Sequence, residues 1–121
     1  MEVRFLGASK RLERTIQVLD ERGLCKNMYV NPYSKTVSMT GALLCAFGVS
    51  DENILAWSGE VTELPLIDRD KAMFQELLNL MMAKSRQERF RDAESLKHFL
   101  VQMRRSGLVK SKAEMTASPD F

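Results

Sequence analysis

The sequence predicts a mostly helical (α+β) single domain, with about five helices around one buried apolar helix and one short β-hairpin near residues 28–39. Three observations predict this class. Apolar residues recur at helical spacing in segments at both ends of the chain. The run Gly41–Val49 is apolar on nearly every side, as an element enclosed by others must be. Only 28–39 combines aromatic and β-branched residues with a turn signal. A chain of 121 residues can bury a core without help from a disulfide or a metal.

The elements follow in order. Ser9 is a good N-cap for a helix over 10–22, whose core face is Leu12, Ile16 and Leu19 with Val18 beside them. Gly23 supplies the left-handed residue that ends it. Between Met28 and Met39, Asn31-Pro32 favours turn initiation and predicts a hairpin that must pack on the helices, because a lone hairpin is marginal in water. Thr40 caps the apolar helix 41–47, and Gly48 ends it. Ser50, with Asp51 and Glu52 in the first turn, starts a short helix to about Trp57.

Asp68 caps a long helix, 69–84. Its apolar residues, among them Met73, Phe74, Leu77, Leu80, Met81 and Met82, sweep an arc of roughly 200°, wider than a one-sided core stripe. Either this helix is covered on two sides or part of the arc is kept for a partner. The last helix, 92–105, capped by Asp92, places Leu96, Phe99, Leu100 and Met103 on one face, and Gly107 ends it. Residues 1–109 are expected to form the compact domain and 110–121 a flexible polar tail.

One stretch, 12–57, carries Arg22-Gly23-Leu24-Cys25, then Gly41-Ala42-Leu43 with Ala46 and Gly48, and later Trp57. In this pattern it resembles a family of short, uncharacterised bacterial and phage proteins, in which a helix runs through an Arg-Gly-x-Cys corner into a Gly-Ala-Leu helix. The family often has a cysteine just before Gly-Ala-Leu, where this chain has Met39 and Thr40. The resemblance implies a related fold and no particular activity.

The net charge is +2, but it is unevenly distributed. Residues 1–50 carry +3, residues 51–78 carry −5 and residues 84–112 carry +6. Such asymmetry marks either a surface for an anionic partner or segments that attract each other within the fold. The basic C-terminal cations are Arg86, Arg89, Arg91, Lys97, Arg104, Arg105, Lys110 and Lys112. Phosphate contacts need flexible cations on an exposed face, so these are the candidate nucleic-acid-binding residues. Leu96 through Val109 also resembles the recognition helix and the start of the wing in winged-helix DNA binders. In those domains a second short helix precedes that helix; here the highly charged 86–92 stands in its place, and no second wing strand follows.

Chemistry that leaves motifs is not written here. There is one histidine, His98, and there are two cysteines, Cys25 and Cys45, without the paired spacing of a zinc site. No Gly-rich phosphate loop is present. Asp51-Glu52 and Asp68/Asp70 stand where helix N-termini favour negative charge, so capping accounts for them. Both cysteines are expected to be free thiols in an intracellular, cytoplasmic setting, because no signal-like segment opens the chain. A cysteine nucleophile would need His98 beside Cys25 or Cys45 in a concave pocket.

The sequence therefore favours a small non-enzymatic protein-binding module, a regulator, inhibitor or accessory factor, that needs no cofactor. Its contact surface is expected on the Met-rich C-terminal helices at Met73, Leu80 and Met82, because methionine adapts to varied partners. The partner is another protein or a second copy of the chain, with nucleic acid as the alternative and no membrane. An enzyme built from scattered residues is the third reading.

Overall fold

The computed structural model describes residues 7–85 and 93–105. They form five α-helices: α1 (Ala8–Arg22), α2 (Met39–Ala46), α3 (Asp51–Ala56), α4 (Asp68–Ser85) and α5 (Ala93–Arg105). A single 3-10 turn, Val61–Glu63, lies between α3 and α4. Helix α1 packs against both α2 and α5, and all five helices feed one apolar core.

The mostly helical class and the helix order match the sequence, while the caps shift by one or two residues. Helix α1 begins at Ala8 behind Gly7, so Ser9 lies inside the first turn, buried, and is not its cap. Ser38, not Thr40, caps α2, its hydroxyl accepting from the Gly41 N–H at 3.1 Å. Ser50 caps α3 as expected, accepting from the Asn53 N–H. Gly23 has the positive φ that its position demands, 82°, but with ψ 171° it is extended rather than left-handed helical, a region open essentially to glycine alone. The caps of α5 at Asp92 and Gly107, the basic segment 86–91 and the tail 110–121 lie outside the described residues.

The hairpin near 28–39 is not formed; among the described residues there is no strand. Val37 makes two isolated bridges, parallel to Leu24 and antiparallel to Val30. The turn is there: Asn31 Oδ1 accepts from the N–H groups of Tyr33 and Ser34, and Lys35 closes it at φ 66°. What fails is the returning strand. The Ser38 N–H donates to the Tyr29 carbonyl at 3.0 Å and the Asn31 N–H to the Thr36 carbonyl at 2.9 Å, which makes one antiparallel pair, and the chain is then helical from Met39. Strong capping at Ser38 ends the extended segment before it gains length.

Gly41 explains the Gly-Ala-Leu pattern. A Cβ there would sit 1.9 Å from the Tyr29 carbonyl oxygen, so the loop backbone rests directly on α2. Ala42, Leu43 and Leu44 are fully buried behind it, as an apolar helix at the centre of the fold requires. The wide apolar arc of α4 has the same cause. Met73, Phe74, Leu77, Leu80 and Met81 are all buried, so this helix is covered on two sides by its own chain. Phe74 meets Phe47 of the α2 terminus edge-on at 5.8 Å and Trp57 at 6.3 Å.

Candidate interaction surfaces

Of the three side chains expected to meet a partner, Met73 is 1% exposed and Leu80 is fully buried, while Met82 is 51% exposed. The first two are core, and removing them from it would create cavities. Met82 alone is presented to solvent.

The basic residues divide in the same way. Lys97 of α5 bonds Asp20 of α1 at 2.7 Å and also pairs with Glu94 on its own helix. The hydrogen bond to Asp20, then that to Glu94, raises the lysine above its ordinary pKa. Arg104 donates Nε to the buried Ser9 hydroxyl at 3.0 Å and reaches Glu13 at 3.5 Å. The face of α5 that sequence alone leaves in solvent therefore lies along α1, and the acids that meet it come from α1, not from 51–78. A phosphate would have to displace Asp20 or Glu13 to use these two cations. Arg105 is exposed. Arg86, Arg89, Arg91, Lys110 and Lys112 lie outside the described residues.

His98 lines a shallow groove of about 410 Å³ between α1 and α5, with Ile16, Gln17, Asp20, Glu94, Lys97 and Val101. Its Nε2 stands 3.4 Å from the Gln102 amide nitrogen. Neither cysteine lines this groove. Cys25 and Cys45 are free thiols; Cys25 lies against the carbonyls of Met28 and Thr36. Among the described residues no cluster of histidine, cysteine and carboxylate could hold a metal ion. No helix among them is long and apolar enough to cross a membrane.

The Arg-Gly-x-Cys corner is a clasp. Arg22 donates two parallel bonds to Asp51 at 2.9 and 2.7 Å and one to the Lys35 carbonyl at 2.6 Å, and its Nη1 lies 3.4 Å from Cys45 Sγ. This joins the end of α1, the loop and the start of α3. Such a bidentate pair is strong and directional. The guanidinium's hydrogen bonds hold the Asp51 carboxyl below its ordinary pKa. Burial pushes the Cys45 thiol up, with Arg22 acting against it, which disfavours the thiolate.

The exposed aromatic residues stand elsewhere, on the loop 26–35. Tyr33 at the turn tip is 94% exposed, and Met28 and Tyr29 are also exposed. Tyr29 stacks on Trp57, centroids 5.2 Å apart, and Trp57 in turn lies edge-on to the buried Phe74. The Trp57 indole N–H donates to the Glu60 carbonyl at 2.8 Å. A cleft of about 420 Å³ opens beside this stack, lined by Asn27, Met28, Tyr29, Ser38 and Thr40. Periodicity cannot find such a surface, because it is a loop. The available signal is two tyrosines and a methionine around an Asn-Pro turn, read as strand faces when the turn is assumed to be a hairpin.

Set against known proteins, the chain matches no protein-family model, no curated protein and no solved structure.

Proposed function

We infer that the chain is a small non-enzymatic protein-binding module, a regulator, inhibitor or accessory factor, whose contact surface is the loop 26–35 with its Tyr29–Trp57 stack. The observation that carries this is the pre-ordered exposure of Met28, Tyr29 and Tyr33. Tyrosine, tryptophan and methionine are enriched at interface cores. The Asn31 turn and the braced stack already fix the loop, so little ordering entropy is lost on binding. The C-terminal helices offer less: Met73 and Leu80 are core, and Lys97 and Arg104 are engaged by α1.

The test is capture from native lysate, with and without nuclease, by the wild type and by Met28→Lys/Tyr33→Lys and Met82→Lys variants that retain the wild-type circular dichroism. The reading expects nuclease-resistant capture that the loop variant loses and the Met82 variant keeps. Capture lost on nuclease treatment overturns it in favour of nucleic acid. Loss with Met82→Lys alone returns the surface to the C-terminal helices.

A further inference from the structure

Two chain segments meet at the Tyr29–Trp57 stack, and they differ in charge. From Gly23 to Ser50 there is no acidic residue, while the loop carries Lys26 and Lys35. From Asp51 to Glu63 there is no basic residue, and four carboxylates stand there. Asp51 is taken by Arg22 and Glu63 by the Ser58 hydroxyl. Lys26 and Lys35 make no ion pair among the described residues, and neither do Glu52 and Glu60, all of them exposed. The two segments thus bring cations and anions that close no ion pair among the described residues to an exposed aromatic contact, although the Lys35 charge also helps lower the Asp51 carboxyl.

An isologous two-fold interface requires one patch that carries both halves of every contact. This patch does so. Given the binding surface assigned above, we propose that its partner is a second copy of this chain, related by a two-fold axis through the Tyr29–Trp57 stack. The lysines of each loop then lie over Glu52 and Glu60 of the other copy. Met28, Tyr29 and Tyr33 supply the apolar centre, and the opposite-charge rim fixes the register. A partner of one charge sign would match one segment and be repelled by the other, whereas a second copy matches both.

Sedimentation equilibrium of the purified chain tests this. The wild type forms a dimer whose apparent dissociation constant rises about tenfold between low and high salt. Two variants separate the halves: Lys26→Glu/Lys35→Gln and Glu52→Gln/Glu60→Lys, each checked for a wild-type thermal transition. Each alone dimerises at least about tenfold more weakly, and mixing them restores a one-to-one heterodimer. Should the wild type remain monomeric up to about 0.5 mM, a concentration that would populate even a weak dimer, the proposal is overturned. It is equally overturned if the folded variants fail to pair on mixing. Either failure leaves intact the capture of a different protein through the loop, so the dimer and the binding surface are judged separately.

Discussion

Helix α1 has two seams, and they are built from opposite charges. Toward α2 and α3 it supplies cations. Arg11 donates to the Ala46 carbonyl at 2.9 Å and lies 4.7 Å over the Phe47 ring, and Arg22 clasps Asp51. Toward α5 it supplies acceptors, with Ser9, Glu13 and Asp20 receiving Arg104 and Lys97. The first seam acts on backbone and half-buried groups. Ala46 is the last residue of α2, which has no basic side chain of its own in its final turn, so Arg11 satisfies an orphan carbonyl and faces the negative end of the helix dipole. The second seam uses exposed carboxylates in high dielectric, where ion pairs contribute little. The difference teaches that two of the C-terminal cations, Lys97 and Arg104, are engaged within the fold, through pairs too exposed to stabilise it much.

The largest effect should come from Gly41→Ala, which forces the Tyr29 carbonyl off α2 and so opens the first seam from the loop side. A loss of about 3 kcal/mol is expected in urea unfolding, since a backbone clash cannot relax by a rotamer change. A variant as stable as the wild type would show that the loop does not rest on α2.

Next is Arg22→Met. Breaking a buried pair costs more, but Arg22 and Asp51 keep 20% and 33% of their side-chain surface, so about 2 kcal/mol is expected. The variant should also change the acid limb. The folded Asp51 carboxyl titrates below its unfolded value, so its contribution is complete above about pH 4 and is lost as pH falls through the folded pKa. Between pH 7 and pH 3 the urea midpoint of Arg22→Met should therefore fall less than that of the wild type. Parallel pH profiles would deny the clasp any role in stability.

Arg11→Met should cost about 1 kcal/mol in thermal unfolding, through the lost carbonyl bond and ring contact. Smallest is Lys97→Met on the second seam. Its thermal shift should be less than that of Arg11→Met and should vanish in 1 M salt. Because pairing raises the folded Lys97 pKa, whatever it contributes is present below the ordinary lysine value, and so across the neutral range, and fades only as pH rises through the folded pKa. A salt-insensitive loss larger than that of Arg22→Met would reverse the ranking of the two seams.

Much of this was legible from residue order. The apolar stripes of α1 and α5 name most of the core residues there, with Ile16 and Phe99 only partly buried, because a 3.6-residue period fixes which side chains share a face whatever they meet. Ser50 with Asp51 and Glu52 marks α3, since a cap is satisfied within its own turn. The hairpin failed because its ladder stops after one pair of bonds, Asn31 to Thr36 and Ser38 to Tyr29, where the Ser38 hydroxyl caps α2 and the chain turns helical. The expected surface at Met73 and Leu80 failed for a different reason. An apolar arc records how much of a helix is covered and says nothing about whether the cover is the same chain or another.

The sequence by itself determined the helices, their apolar faces, the central Gly-Ala-Leu segment and the segregation of charge, all of which depend on neighbours within a turn or two. Only the tertiary structure decided which charges are used inside the fold and which face outward. Lys97 and Asp20 are 77 positions apart, as Arg22 and Asp51 are 29 apart, and no periodicity links them. That long-range pairing leaves the aromatic loop, with Met28, Tyr29 and Tyr33 exposed, as the surface that the proposed partner would meet.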